Sequence, residues 1–517
     1  MIDERVESIL SKMTLKEKLG QLILAGFPSD YYDEHVRTLI EDYKVGNIII
    51  FSRNFKDLKQ MKELNLKIYQ EVVKNTGLVP FIAADQEGGS VVRINKGVAF
   101  PPMAMTTSAS YPHASGDAGR IIGEELIKLG INLNLAPVVD VGTDLSDSVM
   151  TVRTFSDNPE KVKECGLDFI NGLKRSGVVG CLKHFPGFGK SNVDSHLGLP
   201  INDEPLEYVL RHNLYPYHFV NDAKMIMCGH LIYTEIDKDF PASISKPSYK
   251  ILREELGFDG IAITDCLEMA AIAEYYGTEN GASLAIQAGA DMLCICHTLS
   301  RQVGALKKIE EDINAGIIKM EDIDKRVKKI IKVKLMTEDA LNDCFLNGNI
   351  DMDPNNDLIF QSIVDMSITK VKGQINFEKD ALILAPLMVN YSKVEDYNLY
   401  DNLASAINRN LEGYHTEIMY PDNHDKLIEL AEKYKHIIIF TYVGPTTHWE
   451  VDLVNELAQN KRVDVFSLKG PYDYYMYDGI RKYMCVYEYS THSNNSIIKY
   501  IKGELEPQGI LPVKLSR

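Results

Sequence analysis

Over about the first 300 residues, short apolar runs alternate with polar turns and amphipathic helical stretches. There are eight such runs: GQLILAGF (20–27), VGNIIIF (45–51), VPFIAAD (79–85), INLNLAPVVDV (131–141), VVGCLKH (178–184), MIMCGH (225–230), GIAITD (260–265) and DMLCIC (291–296). Buried parallel strands have continuous apolar sequences, because both faces of the sheet are covered by helices. Eight strand-helix repeats therefore predict a (β/α)8 TIM-type barrel, which we place at residues 1–336.

The remaining residues predict a second, smaller domain of the α/β class. Residues 337–380 are mixed and polar, contain NGNIDMDPNND, and are interpreted as an extended connection. Five further apolar runs follow within 381–517: ALILAP (381–386), HTEIMYP (415–421), HIIIFTYV (436–443), VDVFSL (463–468) and YMCVYEY (483–489). This spacing is typical of a doubly wound α/β sandwich. The region contains neither GxGxxG nor GxxxxGK[ST], so a nucleotide-binding role has no support.

Net charge and hydrophobicity exclude several classes of partner. The net charge of -17 disfavours nucleic acid and anionic lipid. No stretch approaches the roughly 18 consecutive apolar residues of a membrane span. The opening residues MIDERVESILSKM are charged throughout and lack the apolar core of a signal peptide, so a cytoplasmic location is expected. The sequence gives no indication of oligomeric state.

The eight cysteines lie mostly within apolar runs, and none belongs to a CxxC pair. Cysteine in such a setting behaves as a small hydrophobic residue, so reduced core thiols are expected. Cys294 and Cys296 should share one face of a strand, but no histidine or second cysteine pair accompanies them. No metal site is predicted from them.

Ionisable residues follow the ends of most of the predicted barrel strands. They are Asp85, Asp140, Lys183, His184, His230 and Asp265. The carboxyl ends of barrel strands face the active site, so these side chains should gather at one rim. Structural alternatives stay open: Asp265 could cap a helix, Asp140 could cap a turn, and either histidine could bond to backbone.

A further polar segment, KHFPGFGKSNVDSHLGLP, runs from Lys183 to Pro200. Within it, Asp194 and His196 are spaced so that the carboxylate can hold one imidazole N–H and leave the other nitrogen for a reacting group. That dyad would be a general acid/base, and Asp265 across the rim would be a carboxylate nucleophile. A nucleophile with a separate acid/base is the arrangement of retaining glycoside cleavage. The alternative is a solvated loop without a chemical role.

Several segments resemble, in order, the signatures of glycoside hydrolase family 3. They are MTLKEKLGQLI, DQEGGSVVR, LNLAPVVDV, the RTF after the fourth strand, KHFPGFG, DSHLGLP, PASIS and ITDCLEM. The match covers the whole barrel domain, and the terminal GILPVKL is similar to the closing strand of that family's second domain. The DSH triplet resembles the β-N-acetylglucosaminidase branch, in which an Asp-His dyad serves as acid/base.

The resemblance implies a role for each matching position. Asp265 would be the nucleophile, and His196, oriented by Asp194, the acid/base. The positions that would hold the terminal sugar are Asp85, Arg93, Arg153, Lys183 and His184. The implied activity is that of a retaining exo-glycosidase that removes terminal β-linked N-acetylglucosamine, as in cell-wall muropeptide fragments, with no metal and no organic cofactor.

Three positions depart from the family pattern. Phe188 replaces the second histidine of KHFPGHG, Ser90 replaces the arginine of DQEGGR, and Cys266 replaces the second aspartate of TDDLEM. All three lie beside the matched catalytic positions. They affect the expected pocket rim and aglycone preference more than the chemistry.

Other functions fit parts of the pattern. A histidine acting as base carries no negative charge and would repel phosphate less than a carboxylate, so a phosphorylase is one alternative. A metal-dependent barrel hydrolase would use His184, His196, His230 and Asp265 as ligands. A sugar-binding module without catalysis, or a mechanism through the substrate's acetamido group without Asp265, would also use this barrel.

Overall fold

A computed structural model describes most of the chain. The described residues are 2–142, 150–189, 198–387, 402–443 and 447–515. Asp194 and His196, the predicted acid/base pair, lie outside them. Among the described residues, no helix is both long and apolar enough to cross a bilayer.

Eight parallel strands close into a barrel in the described part of the chain. They are β1 (Ile23–Ala25), β2 (Asn47–Ile50), β3 (Phe81–Ala84), β4 (Leu133–Asn134), β5 (Val179–Phe185), β6 (Met225–Cys228), β7 (Ile261–Cys266) and β8 (Met292–Ile295). Each strand pairs with its neighbours in chain order, and β8 pairs with β1 to close the ring. Every predicted run contains or overlaps one of these strands, so the predicted barrel is confirmed.

Helices surround the barrel and connect its strands. The α-helices are Ile2–Leu10, Leu15–Gln21, Glu34–Arg37, Leu58–Thr76, Ala104–Ala109, Ala114–Lys128, Pro159–Arg175, Leu206–Tyr208, Lys246–Lys250, Ala270–Ala273, Thr278–Ala288, Leu299–Asn314 and Met320–Leu335. Shorter 3-10 and π turns are Thr38–Asp42, Ser52–Asn54, Val209–Asn213, Tyr215–Asp222, Ala242–Ile244 and Ile251–Glu255. A two-stranded parallel ladder joins Ile201–Asn202 to Ile232–Tyr233. Amphipathic helices over apolar strands give one continuous core beneath the rim.

The helix that leads into β1 begins at a capping box. The Thr14 hydroxyl accepts from the Glu17 N–H at 3.3 Å, and the Glu17 carboxylate accepts from the Thr14 N–H at 2.7 Å. These reciprocal bonds satisfy two backbone donors that a helix start leaves without intrahelical partners. The T-x-x-E spacing of these two residues is the sequence signature of such a helix start.

A second, mixed sheet follows the barrel. Its strands are β9 (Thr369–Lys372), β10 (Leu382–Pro386), β11 (His415–Met419), β12 (His436–Thr441), β13 (Arg462–Ser467) and β14 (Lys482–Cys485), in the order β9-β14-β13-β12-β10-β11. Alternate residues of β10 enter two different apolar clusters, so both faces of the sheet are covered. The flanking helices and turns are Leu403–Asn410, Pro421–Asn423, His424–Ala431, His448–Ala458, Pro471–Met476 and Thr491–Ile501. The predicted second α/β domain is confirmed.

The stretch 337–380 is more ordered than its interpretation as an extended connection suggested. It contains the helical segments Glu338–Ala340, Leu341–Leu346 and Pro354–Ser367 and the strand β9. β9 runs antiparallel to β14 at the edge of the sheet, and its sequence TKVK is partly exposed. A short polar edge strand has no apolar run to mark it, which is why the pattern missed it. The domain boundaries at 336 and 381 stay a prediction.

An apolar cluster joins the second sheet to the barrel. Met103, Met105 and Val152 come from barrel loops and pack in one cluster with residues of the second sheet, including Tyr483. Trp449, the single tryptophan of the chain, is half-buried against the same cluster. This packing agrees with a structural role for the tryptophan. The two parts of the molecule therefore share buried surface in the loops that follow barrel strands.

Stability should fall with rising pH because of a buried acid in the second domain. Burial raises the pKa of Glu450 to about 8, although the N–H of Tyr442, 2.7 Å from its carboxylate, acts to lower it. The native state therefore keeps a proton that the unfolded chain releases above the ordinary glutamate pKa of 4.5. Between pH 4.5 and about 8, the unfolding free energy should therefore drop by up to about 1.4 kcal/mol per pH unit.

Glu450→Gln should flatten this pH dependence in calorimetric unfolding. Asp452→Asn is the matched control, because Asp452 is exposed on the same helix and should leave the slope unchanged. An unaltered slope in the Glu450→Gln variant would contradict the assignment.

Candidate active site

The carboxyl ends of the barrel strands bring the predicted polar residues to one rim. Asp85 directly follows β3, Lys183 and His184 lie near the end of β5, and Asp265 is the penultimate residue of β7. In a closed ring of eight strands, β3 and β7 lie four positions apart, which places Asp85 and Asp265 on opposite sides of the barrel mouth. The residues on these strands thus surround one opening.

Five charged side chains form a network, here called the rim cluster. Its members are Asp85, Glu87, Arg93, Arg153 and Lys183. The Lys183 Nζ lies 2.8 Å from Asp85 Oδ1 and 2.6 Å from Glu87 Oε1. Arg153 donates two bonds to Glu87, from Nε at 2.8 Å and from a terminal nitrogen at 2.9 Å, and Arg93 reaches Asp85 at 3.4 Å. The family resemblance implied four of these residues as sugar-binding positions, and the structure brings all four together.

The rim cluster is largely buried, and its cations lower the pKa values of both of its carboxyl groups. Burial acts to raise the pKa of Asp85, but the charges of Lys183 and Arg93 outweigh it and hold the pKa below its ordinary value. Glu87 follows the same pattern: burial acts to raise its pKa, and Arg153 and Lys183 hold it well below the ordinary range. Three cations face two carboxylates in the cluster, so buried donors and acceptors are both present for charge-assisted hydrogen bonds.

Glu87, in the turn DQEGGS, was not predicted from the sequence as a site residue. The glycines do form that turn: Gly88 and Gly89 have φ values of +123° and +53°. Glu87 nevertheless contacts both Arg153 and Lys183. Its spacing of two residues from Asp85, at the end of a strand, is the signal that could have identified it.

His184 is held by Asp140, whose role the sequence left open as a turn cap. The His184 Nδ1 lies 2.8 Å from Asp140 Oδ2, and the backbone N–H groups of His184 and Phe188 also donate to this carboxylate. Asp140 therefore fixes the imidazole and the KHFPGFG turn together. Phe188, one of the departures from the family pattern, packs edge-on against the His184 ring at 6.0 Å.

His230 has a structural setting. Its Nδ1 lies 2.7 Å from the Ser243 hydroxyl and its Nε2 lies 2.9 Å from the Cys266 carbonyl, so protein groups engage both ring nitrogens. Histidine can ligate a metal only through a nitrogen that is free to coordinate. Within the described ranges, no group of three histidine, cysteine or acidic side chains is arranged to hold a metal ion.

Asp265 is half-buried at the barrel mouth, and the Cys266 N–H donates to its Oδ1 at 2.7 Å. This bond restrains the orientation of the carboxylate. Cys266 itself is a free thiol, as are the other seven cysteines. The sulfur atoms of Cys294 and Cys296 lie 3.2 Å apart at the end of β8. The spatial relation between Asp265 and the predicted Asp194–His196 dyad falls outside the described residues.

Enzymes with a barrel of this type carry their active sites at the carboxyl ends of the strands, which is where the rim cluster lies and offers charged groups to a polar ligand. The chain belongs to glycosyl hydrolase family 3, since the model of that family's N-terminal domain matches residues 14–333. The family resemblance noted from the sequence is therefore confirmed.

Named relatives and a solved structure agree with this family. Beta-hexosaminidase A of Pseudoalteromonas piscicida is 30% identical over 386 residues, which cover 69% of this chain and 64% of that protein. Beta-hexosaminidase of Thiobacillus denitrificans is 33% identical over 304 residues, or 57% of this chain and 83% of that protein. A family 3 beta-N-acetylglucosaminidase from Paenibacillus sp. str. FPU-7 superposes with a TM-score of 0.90 at 28% identity, covering 98% of this chain and 99% of that one. The predicted enzyme class, a glycoside hydrolase of the β-N-acetylhexosaminidase type, agrees with these names.

Proposed function

We propose that the protein is a retaining exo-glycosidase that removes terminal β-linked N-acetylglucosamine. The observation that carries the proposal is the buried, ionised rim cluster opposite Asp265 at the mouth of a family 3 barrel. The cluster offers fixed donors and acceptors for the hydroxyls of one terminal sugar. The carboxylate on β7 offers a nucleophile for the anomeric carbon of that sugar.

The proposed reaction has two steps. Asp265 attacks the anomeric carbon while the glycosidic oxygen departs and takes a proton from His196, which leaves a covalent sugar ester on Asp265. Water then attacks the same carbon, gives its proton to His196 and releases Asp265. In this scheme, Asp194 holds the imidazole in its working orientation.

The rim cluster would bind the sugar ring through its hydroxyls. Asp85 is a hydrogen-bond acceptor already fixed by Lys183 and Arg93, and Lys183 and Arg153 are donors fixed by Glu87. Because these groups hold each other in place before any ligand arrives, their side chains lose little conformational entropy on binding. His184, oriented by Asp140, would add a contact through its second ring nitrogen.

Nitrophenyl β-glycosides that differ only at the 2-position test the proposal. The N-acetylglucosaminide should be cleaved about 10²-fold or more faster, in kcat/KM, than the glucoside, because a site built for the acetamido group leaves polar groups unpaired when that group is absent. Equal rates on both substrates would contradict the substrate assignment.

The same assay, run with and without inorganic phosphate, separates hydrolysis from phosphorolysis. Hydrolysis should give the free sugar at a rate that phosphate does not change. A histidine acid/base also permits attack by phosphate, so acceleration with formation of the sugar 1-phosphate would identify a phosphorylase instead.

We further propose cell-wall muropeptide fragments as the natural source of the terminal sugar, and a cytoplasmic location. Release of N-acetylglucosamine from purified muropeptides would test the first, and cell fractionation the second.

A further inference from the structure

We propose that the second domain positions the sugar-binding loops of the barrel, with Glu488 as the positioning residue. This inference rests on the proposed function, because it concerns how the rim cluster is held. Two loops are involved: the loop over residues 85–109, which carries Asp85 and Glu87, and the loop over residues 150–157, which carries Arg153. The second domain contacts both.

The turn that carries Glu87 lies directly on residues 101–103 of the same loop. The Gly89 N–H donates to the Pro101 carbonyl at 2.8 Å. A methyl group added at Gly88 would lie 2.1 Å from the Pro102 carbonyl oxygen, and one added at Gly89 would lie 2.0 Å from the Met103 sulfur. Because the two segments are in direct contact with no space between them, the position of the turn depends on the position of Met103.

Glu488 anchors that segment from the second domain. Its Oε2 accepts from the Met103 N–H at 3.0 Å and from the Thr106 hydroxyl at 2.7 Å, and its Oε1 accepts from Ser490 at 2.6 Å. Glu488 is only 3% exposed and comes just after β14. Removing this carboxylate would leave a buried N–H and a buried hydroxyl without their acceptor, which is costly unless the loop moves.

The second domain also holds the loop that carries Arg153. The Ser156 hydroxyl donates to the Pro512 carbonyl, and the Lys514 N–H donates to Asp157 at 2.7 Å. Within the barrel, the Met105 N–H donates to the Val152 carbonyl at 3.2 Å, which links this loop to the segment that Glu488 anchors. The two loops are thus fixed to each other and to the second domain.

The ion pair between Glu87 and Arg153 joins the two restrained loops within the proposed sugar site. Its two parallel hydrogen bonds have defined lengths and directions, so a shift of either loop breaks their geometry. Lys183 shares Glu87 and would lose alignment as well. Glu488, which has no contact with substrate in this scheme, would therefore act on sugar binding through Met103 and the turn.

Kinetics of Glu488→Ala on nitrophenyl β-N-acetylglucosaminide test the proposal. We expect KM to rise about tenfold with kcat within about twofold of wild type, since lost ground-state contacts appear in KM. Glu488→Gln should restore KM, because its amide oxygen can accept both bonds. A lowered melting temperature with KM unchanged would overturn the proposal.

Hydrogen exchange provides a readout that needs no substrate. In Glu488→Ala, amides in peptides 86–93 and 150–157 should exchange faster than in wild type, and unchanged exchange in both would overturn the proposal. If Glu488→Ala does not fold, Thr106→Val removes one of the two bonds at nearly constant shape and should raise KM about threefold.

The control is Lys128→Ala, which removes a contact between the barrel and the connecting stretch, at the Asp351 carbonyl 2.6 Å away. It should leave KM and both peptides unchanged; an equal effect would indicate general destabilisation and overturn the proposal. A wild-type protein that does not cleave the substrate would refute the proposed function alone, and the exchange experiment would still decide whether Glu488 holds the loops.

Discussion

Asp265→Ala should reduce kcat on nitrophenyl β-N-acetylglucosaminide by about 10⁴-fold or more, because no covalent intermediate can form without the carboxylate. Asp265 lies at the carboxyl end of β7, where the Cys266 N–H restrains it. Melting temperature should change little, since the side chain is half-buried at the mouth and not in the core. Steady-state kinetics and thermal unfolding together check this expectation.

Covalent labelling with a slow substrate identifies the nucleophile directly. A substrate with a slow second step should leave a sugar on Asp265 in the wild-type protein, detectable by peptide mass spectrometry. Asp259→Asn is the matched control, because Asp259 is exposed and precedes the opposite end of the same strand. An Asp265 variant that stays active, or a label on another residue, would show that the acetamido group or another carboxylate is the nucleophile.

His196→Ala should reduce activity in proportion to how much the leaving group needs a proton. The rate should fall about 10²- to 10⁴-fold for substrates with an alkyl or sugar aglycone. For a nitrophenyl aglycone, the glycosylation step should slow far less, because nitrophenolate departs without protonation. Rates on a series of aglycones of different acidity, measured for wild type and variant, give this dependence. Equal losses across the series would contradict an acid role.

His218→Ala is the control for the histidine prediction. His218 is exposed on the barrel surface and bonds to the Tyr215 carbonyl through Nδ1. Its removal should change neither the rates nor their dependence on the leaving group.

Asp194→Ala should show the same dependence on the leaving group as His196→Ala, with a smaller loss of activity. The loss is smaller because Asp194 acts on the imidazole and not on the sugar.

The barrel could be predicted because its strands are buried on both faces. A run such as VPFIAAD marks both the strand and, at its last residue, the rim position of Asp85. The meeting of Asp85 with Lys183 followed from barrel geometry alone, although 98 residues separate them. The barrel fold therefore makes residues at the ends of different strands neighbours in space.

Pairings that depend on loops could not be predicted in the same way. Glu87 lies beside a glycine-rich turn and Asp140 could have capped a turn, so only the folded chain shows their pairing with Arg153 and His184. The strand β9 was missed because its TKVK sequence is polar and lies at a sheet edge. The roles of Asp194 and His196 stay predictions from the sequence.

The position of Trp449 gives a ready optical probe of the contact between the two domains. The chain has one indole, and it packs against the apolar cluster that receives Met103 and Val152 from the barrel loops. Its emission should shift to longer wavelength when that cluster opens to water. Fluorescence and circular dichroism should therefore give separate transitions if the second domain detaches before the barrel unfolds, and a single transition if the two come apart together.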